Sequence, residues 1–289
     1  MFLILFISTQ LVNLSVAFFR KIFILSFIVI FQNLHYNFDM KVTPDYTVIY
    51  NDEDIVVLNK KSGLLIAQDR YDANAPRLDK SAEKEFGKLF AVHRIDKDTS
   101  GIVIYAKNPE AHKNLSSQFE NREVKKTYHC LVHGRPSWET LTVDLKLQPD
   151  GDARHRTVVN KKFGKPSLTQ FKVLGTCGHF SWIEAKPITG RTHQIRVHLQ
   201  ANDFSIVCDP LYSGNQKPIK LSDIKKKYNG DPLDEKPLLS RLALHAYKIT
   251  INHPTKNEEM TFTAPYPKDM DAVRNQLNKI FKVNPLEED

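Results

Sequence analysis

Cysteine is scarce in this sequence of 289 residues. The three that are present, Cys130, Cys177 and Cys208, are far apart, and none belongs to a Cys-x-x-Cys pair. An odd number of dispersed cysteines indicates neither a disulfide framework nor a zinc site, and it suits the reducing cytoplasm. The sequence also lacks internal repeats and low-complexity tracts. We therefore expect a globular, cytoplasmic protein.

Acidic residues are outnumbered by basic ones. The sequence has 41 lysines and arginines against 33 aspartates and glutamates, which gives a formal net charge of +8. Such a balance favours a polyanionic partner, because basic side chains neutralise phosphates and release counterions. The charge alone does not identify this partner, since many basic proteins bind no nucleic acid.

Residues 1–39 form an apolar N-terminal extension. Two apolar runs, 1–19 and 22–31, are separated by an Arg-Lys pair, and no positive charge precedes the first run. The extension is therefore a poor signal peptide, and as one transmembrane helix it would bury both charges at about 2.5–3.5 kcal/mol each. We expect translation to start naturally at Met40, so that residues 40–289 form one folded domain. A membrane anchor is the alternative.

Short runs rich in β-branched residues, bounded by turn signals, predict eight strands. Few segments have helical spacing, and the stretch 213–236 is interpreted as a long surface loop with at most one helical turn. Many short strands among few helices favour an α+β fold, with a mixed but mostly antiparallel sheet core and flanking helices and loops. The predicted strands are residues 46–50, 55–59, 102–106, 128–132, 168–173, 182–185, 246–251 and 260–263, and the predicted helices are residues 80–90, 109–119, 191–200 and 268–281.

The segment 93–101, HRIDKDTSG, places seven polar or charged residues between two apolar runs. Such a density suits a site loop. Asp96 lies between Arg94 and Lys97, whose positive charges favour an ionised carboxylate that acts as nucleophile or base. The alternative is a capped turn, in which Asp96 and Asp98 accept hydrogen bonds from nearby backbone amides.

A second polar segment, residues 190–198, is predicted to be a helix that begins near Thr189. Unpaired amides at a helix N-terminus attract phosphate, although a solvated basic helix explains the same spacing. His193 and His198 are five residues apart and do not share a helical face, so we expect no metal site here.

Two further segments combine cations with aromatic or apolar residues. Residues 125–129, KKTYH, have the composition that clamps RNA phosphates while stacking a base, and the alternative is a tyrosine packed in a core strand. Residues 241–246, RLALHA, are equally ambiguous, because an ordinary strand entering the sheet explains them as well.

Taken together and in order, these segments resemble the RluA-type family of RNA pseudouridine synthases. Residues 93–101 match the family's His-Arg-Leu-Asp-x-x-Thr-Ser-Gly signature, with Ile95 in place of leucine. The departures are modest, since Lys61 replaces the usual proline, Cys208 replaces the usual glycine and Ser213 is an additional residue. Five further motifs of the family are matched in order by residues 54–63, 126–134, 189–199, 208–214 and 241–254.

The resemblance implies the pseudouridine synthase catalytic fold and an isomerase that converts uridines of ribosomal or transfer RNA to pseudouridine. By resemblance, Asp96 initiates cleavage of the N-glycosidic bond, either by attack at the ribose C1′ or by another route that frees the bound uracil. Tyr128 would stack on the flipped base and assist removal of the C5 proton, and Arg196 would pair with Asp96.

The same resemblance implies RNA-binding roles for Arg94, Arg191 and Leu244. Arg94 would occupy the space that the flipped base vacates or hold the flanking backbone, and Leu244 would close the apolar side of the pocket. No metal and no organic cofactor are implied. The expected partner is RNA, and we expect a monomer whose catalytic domain itself recognises the substrate.

Two other functions remain open from the sequence. One is a catalytically silent RNA-binding protein on the same fold, against which the presence of Asp96, Tyr128 and Arg196 together argues. The other is a glycoside hydrolase that uses Asp96 and Asp98 as a carboxylate pair. A sugar site is expected to offer several aromatic platforms, and only Tyr105 is close in sequence.

Overall fold

The computed structural model describes residues 45–68, 74–214, 217–231 and 233–286. The predicted N-terminal extension and the domain boundary at Met40 lie outside these residues. Among the described helices, none combines the length and the apolar character that crossing a membrane requires.

The described part of the chain folds into one eleven-stranded sheet with five helices. The strands are β1 (Tyr46–Asn51), β2 (Ile55–Lys60), β3 (Phe90–Ala91), β4 (Ser100–Ala106), β5 (Lys125–His133), β6 (Thr140–Gln148), β7 (Val158–Val159), β8 (Lys165–Cys177), β9 (Phe180–Pro187), β10 (Leu244–Asn252) and β11 (Glu259–Thr263). The helices are α1 (Leu78–Phe86), α2 (Pro109–Glu120), α3 (Gln194–Gln200), α4 (Leu221–Ile224) and α5 (Lys268–Phe281).

The sheet is mixed but mostly antiparallel. Its strand order is β1-β2-β4-β10-β5-β9-β8-β6-β7, with β3 paired to β4 and β11 paired to β10. Strands β4 and β10 run parallel, whereas the other pairs of the described strands run antiparallel. This arrangement confirms the predicted α+β fold.

Most of the predicted elements are confirmed. All eight predicted strands are present, extended by between one residue, as in β1, and seven residues, in β8. Helix α2 begins at Pro109, where the side chain of Asn108 accepts the backbone N–H of Ala111 at 2.8 Å and so caps the first turn. Helix α5 has the predicted bounds of 268–281, and the predicted loop 213–236 contains one short helix, α4.

Three expectations about local structure are wrong. Helix α1 ends at Phe86 rather than continuing to 90, because Gly87 adopts a positive φ of 72° and the chain then enters β3. Helix α3 begins only at Gln194, three residues later than predicted. Strands β3, β6 and β7 were not predicted, although β6 alternates polar and apolar residues, which is the pattern of a half-buried strand.

Strand β4 anchors the loop that precedes it, residues 93–99. The strand is buried at every position, because both of its faces are covered. Ile102 and Ile104 pack in a cluster with residues of α2, whereas Val103 and Tyr105 pack in a second cluster with residues of α1. Burial on both faces explains why this strand reads as a continuous apolar run.

Gly101 allows β4 and β10 to approach each other closely. It adopts a φ of +112°, and a Cβ at this position would lie 2.2 Å from the carbonyl oxygen of Ala246. We expect Gly101→Ala to lower the free energy of unfolding by at least about 3 kcal/mol, because backbone strain and a backbone clash add. Chemical denaturation measures this loss.

Gly63→Ala is the matched control for this substitution. Gly63 also has a positive φ, +95°, but nothing lies within 4 Å of a Cβ built there. We expect a loss of only about 1–2 kcal/mol at this position, which is the cost of the backbone conformation alone. Equal losses at the two glycines would contradict the steric account of the β4–β10 contact.

Candidate active site

A cavity of about 450 Å³ opens where the loop before β4, the end of α2, strand β5 and the segment before α3 meet. The fold brings together here residues that are far apart in sequence. All six predicted site residues line this cavity, namely Asp96, Tyr128, Arg196, Arg94, Arg191 and Leu244.

The backbone beside Asp96 is held by the end of β2. The carbonyl oxygen of Lys97 accepts a hydrogen bond from Lys60 Nζ at 3.0 Å, and that of Asp98 accepts one from the hydroxyl of Ser62 at 2.7 Å. The side chain of Asp96 lines the cavity and is 19% exposed. The carboxylate is therefore presented on a fixed loop and remains accessible to a ligand.

Lys60 is a positioning residue that the sequence analysis missed. Its side chain is almost completely buried, and Nζ donates to the carbonyl oxygens of Lys61 (2.8 Å) and Lys97 (3.0 Å). Burial lowers the pKa of Lys60 to about 7, although the nearby charges of Asp98 and Asp96 favour the protonated form. The available signal was the Asn59-Lys60 pair, which follows the strand in the segment 54–63 that matches a motif of the family.

Arg196 is the buried cation of the site, and its main partner is Asp209 rather than Asp96. Its guanidinium group donates two hydrogen bonds to the Asp209 carboxylate, at 2.8 and 2.7 Å, and contacts Asp96 Oδ2 only at 3.5 Å. Burial is the largest single effect and opposes the charge of Arg196, but the hydrogen bonds to Asp209 together with the charges of Asp209 and Asp96 outweigh it and raise the pKa of Arg196. The expected pairing of Arg196 with Asp96 is thus present, but this contact is longer than the contact of Arg196 with Asp209.

Asp209 and Tyr212 complete this cluster and were not predicted as site residues. Asp209 also accepts the backbone N–H groups of Leu211 (2.9 Å) and Tyr212 (3.1 Å). The ring of Tyr212 lies 5.0 Å from the guanidinium carbon of Arg196, a cation–π distance. Both residues belong to the segment 208–214, which matches a motif of the family, so the signal was present in the sequence.

Tyr128 lines the cavity next to the Asp96 carboxylate. Burial raises the pKa of its hydroxyl well above the ordinary value, and the charge of Asp96 raises it further. The phenol is therefore neutral at physiological pH. A neutral ring suits stacking on a base, and its hydroxyl can accept a proton only after another group has taken the phenolic one.

The segment before α3 is not the helix N-terminus that its spacing suggested. The side-chain oxygen of Gln194 accepts hydrogen bonds from the hydroxyl of Thr189 (2.7 Å) and from the backbone N–H of Arg191 (3.0 Å), and His193 has a left-handed φ of 54°. Residues 194–199 are all buried, so the solvated basic helix is also wrong.

The two histidines of this segment have separate partners. His193 Nδ1 lies 2.9 Å from the hydroxyl of Tyr212, whereas His198 Nδ1 lies 3.0 Å from that of Thr169. The one group of described side chains arranged to hold a metal ion is Asp52, Asp54 and His253. None of these lines the cavity, and the ammonium group of Lys256 already contacts Asp52 at 3.1 Å.

Four cations line the cavity beside the buried Arg196. They are Arg94, Arg122, Lys126 and Arg191. Strand alternation separates the two lysines of β5, since Lys125 pairs with Glu259 at the surface while Lys126 faces the cavity. Of the segment 241–246 only Leu244 reaches the cavity, because Arg241 pairs with Asp269.

The geometry removes support from two alternatives. The Asp96 carboxylate receives its described hydrogen bond from Arg196 and not from a backbone amide, as a capped turn would require. Asp98 does not line the cavity, so it does not form a carboxylate pair with Asp96 there. Tyr105 is fully buried and donates to the carbonyl of Ile66, which excludes it as a sugar platform.

Comparison with known proteins decides the family. Residues 54–201 match the family described as RNA pseudouridylate synthase. The chain belongs to this family. The matched range contains Asp96, Tyr128 and Arg196, and family membership makes the protein an isomerase with RNA as its substrate class.

Relatives within the pseudouridylate synthase family cover most of the chain. The dual-specificity RNA pseudouridine synthase RluA of Salmonella typhi is 35% identical over 79% of this chain and 97% of its own length. The ribosomal large subunit pseudouridine synthase D of Neisseria meningitidis is 32% identical over 77% of this chain and 59% of its own length. These relatives are named as enzymes, so a catalytically silent RNA-binding protein is not favoured.

Solved structures support the same fold. The human RNA pseudouridylate synthase domain containing 1 is 26% identical, covers 77% of this chain with 84% of its own, and superposes with a TM-score of 0.57. The human domain containing 4 superposes with a TM-score of 0.61 at 24% identity, and this likeness shows the fold alone.

Three neutral histidines, of which His129 and His245 are buried and His93 is half-buried, should make this synthase sensitive to acid. Burial lowers the pKa of His93 and His129 to about 3 and that of His245 to about 4, from an ordinary value of 6.5. Between pH 6.5 and about 4 the unfolded chain therefore binds more protons than the folded one. The free energy of unfolding should fall with falling pH by about 1.4 kcal/mol per pH unit for each histidine.

We therefore expect cooperative unfolding between about pH 6 and 4, measured by circular dichroism. His93 Nε2 accepts the backbone N–H of Ile104 at 2.9 Å, a bond that a glutamine oxygen can also accept. His93→Gln should move the unfolding midpoint to lower pH, whereas substitution of the exposed His179 by glutamine should not. Identical midpoints for the His93 variant and the wild type would contradict this account.

Proposed function

We propose that the protein isomerises uridine to pseudouridine in ribosomal or transfer RNA, with Asp96 as the catalytic carboxylate. The observation that carries the proposal is the arrangement in one cavity of an accessible Asp96, a neutral Tyr128 and a buried Arg196. Arg196 is locked by Asp209 and keeps one contact of 3.5 Å with Asp96. These groups supply a carboxylate, a stacking ring and a fixed positive charge.

The target uridine must leave its stack to reach Asp96. Base flipping costs a few kcal/mol, and contacts in the pocket offset it. Tyr128 offers an aromatic face in the cavity, and Leu244 contributes an apolar wall. Arg94 is exposed at the cavity, where it can fill the vacated space in the RNA or hold the flanking phosphate.

The reaction exchanges one glycosidic bond for another. The N1–C1′ bond breaks, C5 of the rotated uracil bonds to C1′, C5 loses its proton, and N1 gains a proton from solvent, so that the product is an isomer of the substrate. Asp96 initiates the cleavage by attack at C1′ or by another route that frees uracil within the cavity, and the positive charge of Arg196 keeps the carboxylate oriented. Neither the atoms nor the electrons of this isomerisation require a metal or an organic cofactor.

The cations of the cavity wall suit the phosphates on either side of the flipped nucleotide. Arg191 and Lys126 line the cavity, and a Cβ placed on Gly190 would lie 3.9 Å from the ammonium nitrogen of Lys126. Basic side chains around a nucleotide pocket hold the backbone without reading sequence. The names of the relatives, which specify RNA and the large ribosomal subunit, support RNA of these classes as substrate. We further propose a monomer that works in the cytoplasm.

The proposed function is tested by tritium release. Ribosomal and transfer RNA are transcribed with uridine that carries tritium at C5 and are incubated with the full chain. Because C5 loses its hydrogen when it bonds to C1′, each isomerised uridine releases one tritium to water. We expect release from a small number of sites. RNA binding without release would instead support the catalytically silent RNA-binding protein.

A further inference from the structure

An exposed aromatic ring projects from the turn between β7 and β8. Phe163 is 68% exposed, although it is a large apolar side chain. A single exposed apolar side chain is common on protein surfaces, so only the residues around it can indicate a binding site. The ammonium group of the neighbouring Lys162 lies 5.0 Å from the ring centroid, within cation–π range.

The same turn is strongly basic. Lys161, Lys162 and Lys165 are all exposed, and none of them forms an ion pair within the described residues. Two carboxylates that precede the turn in the chain already have partners, since Asp152 binds Arg156 and Asp150 lies 2.6 Å from His155. The lysines of the turn therefore present uncompensated positive charge around an exposed ring.

The turn is rigid although it is exposed. The side-chain oxygen of Asn160 accepts hydrogen bonds from the backbone N–H groups of Lys162 (2.9 Å) and Phe163 (3.0 Å). The backbone carbonyl of Asn160 accepts a hydrogen bond from the backbone N–H of Gly164 (2.9 Å). The backbone N–H of Asn160 in turn donates a hydrogen bond to the carbonyl oxygen of Lys146 in β6 at 2.9 Å. The backbone that carries the ring and the lysines is thus held in place, which lowers the entropy lost on binding.

The segments on both sides of the turn are hydrogen-bonded to Arg191, which lines the cavity, and to Tyr212, which packs on Arg196. On one side, Arg191 Nε donates to the carbonyl of Pro166 at 3.4 Å. On the other side, the backbone N–H of Thr157 donates to the hydroxyl of Tyr212 at 2.9 Å, and the ring of Tyr212 faces Arg196. Phe163 and Pro166 are three positions apart in sequence and therefore at most about 11 Å apart. RNA that enters the cavity can therefore reach the turn within a few nucleotides.

We propose that residues 160–165, the basic turn, form a second RNA contact that recognises unpaired nucleotides flanking the target uridine. Phe163 stacks on one of their bases, and Lys161, Lys162 and Lys165 contact the adjoining phosphates. Aromatic stacking combined with backbone cations is how proteins hold single-stranded RNA without reading its sequence. This inference rests on the proposed function, and it assigns the selection of single-stranded segments to the basic turn.

The test measures RNA binding apart from catalysis. The full chain carrying Asp96→Asn is titrated with unmodified ribosomal and transfer RNA transcripts, with and without Phe163→Leu. Leucine keeps the apolar character but not the aromatic face, so we expect the dissociation constant to rise about tenfold. Phe163→Tyr should restore wild-type binding, and Leu233→Ala, at another highly exposed apolar side chain, should leave it unchanged.

The lysines are tested by salt dependence. Replacing Lys161, Lys162 and Lys165 together by glutamine should lower the slope of log affinity against log salt by about 2, since each lost phosphate contact contributes about 0.7–0.9. Unchanged affinity and unchanged slope in these variants would overturn the inference, and the basic turn would then face another partner. Weaker binding by Phe163→Leu in a chain whose wild type releases no tritium would support the inference while refuting the proposed function.

Discussion

Asp96→Asn is expected to reduce the rate of pseudouridine formation by about four orders of magnitude or more. Asparagine keeps the shape of the side chain but removes the negative charge and the nucleophilic oxygen. Because Asp96 is 19% exposed and its contact with Arg196 is 3.5 Å long, the substitution should leave the fold and RNA affinity nearly unchanged. Single-turnover tritium release, with RNA binding measured in parallel, separates the chemical step from binding.

Asp98→Asn is the matched control for this variant. It makes the same chemical change two residues away, in the same loop, on a side chain that does not line the cavity. We expect this control to keep most of the wild-type rate. A rate above about one tenth of wild type for Asp96→Asn, or equal losses for the two variants, would contradict the assigned role of Asp96.

Asp209→Leu is expected to lower the free energy of unfolding by about 3–5 kcal/mol. The side chain of Arg196 is 1% exposed, so removal of Asp209 leaves a buried cation whose remaining acidic contact is Asp96 at 3.5 Å. The backbone amides of Leu211 and Tyr212 lose their acceptor as well. Chemical denaturation measures the loss, and isomerisation should fall with it because Arg196 is no longer fixed.

The double variant Arg196→Leu with Asp209→Leu separates stability from function. With both charges removed, no buried ion is left without a partner, so part of the lost stability should return. Activity should remain low, since Asp96 would lack the cation that orients it. A double variant that is less stable than Asp209→Leu, or one as active as wild type, would contradict this account of the pair.

Much of the fold could be predicted from the sequence because local patterns, such as apolar runs and helix-capping residues, indicate the strands and helices. Strand β4 is covered on both faces and therefore appears as an unbroken apolar run. The start of helix α2 could be predicted because asparagine, here Asn108, is a favoured N-cap residue and proline, here Pro109, is favoured in the first turn. Strand β6 was missed although its sequence carries a signal, because its polar and apolar residues alternate as in a half-buried strand.

The candidate site was only partly predictable, for a physical reason. Asp96 stood out because a dense polar loop precedes a buried strand. The partner of Arg196 could not be chosen from the sequence, because that choice depends on a contact between two distant turns. Asp209 binds Arg196 through two short bonds, and the spacing of neither residue indicates this. In the same way, the side chain of Gln194 replaces the expected helix N-terminus with a turn.

The central claim is that Asp96 makes pseudouridine in cellular RNA. Its most direct test is pseudouridine-specific chemical mapping of total RNA from cells that carry the wild-type protein and from cells that carry Asp96→Ala. The account predicts that one or a few modified uridines disappear with the variant, and these positions identify the substrate. An unchanged map, with the variant folded and backup synthases excluded, would contradict the claim.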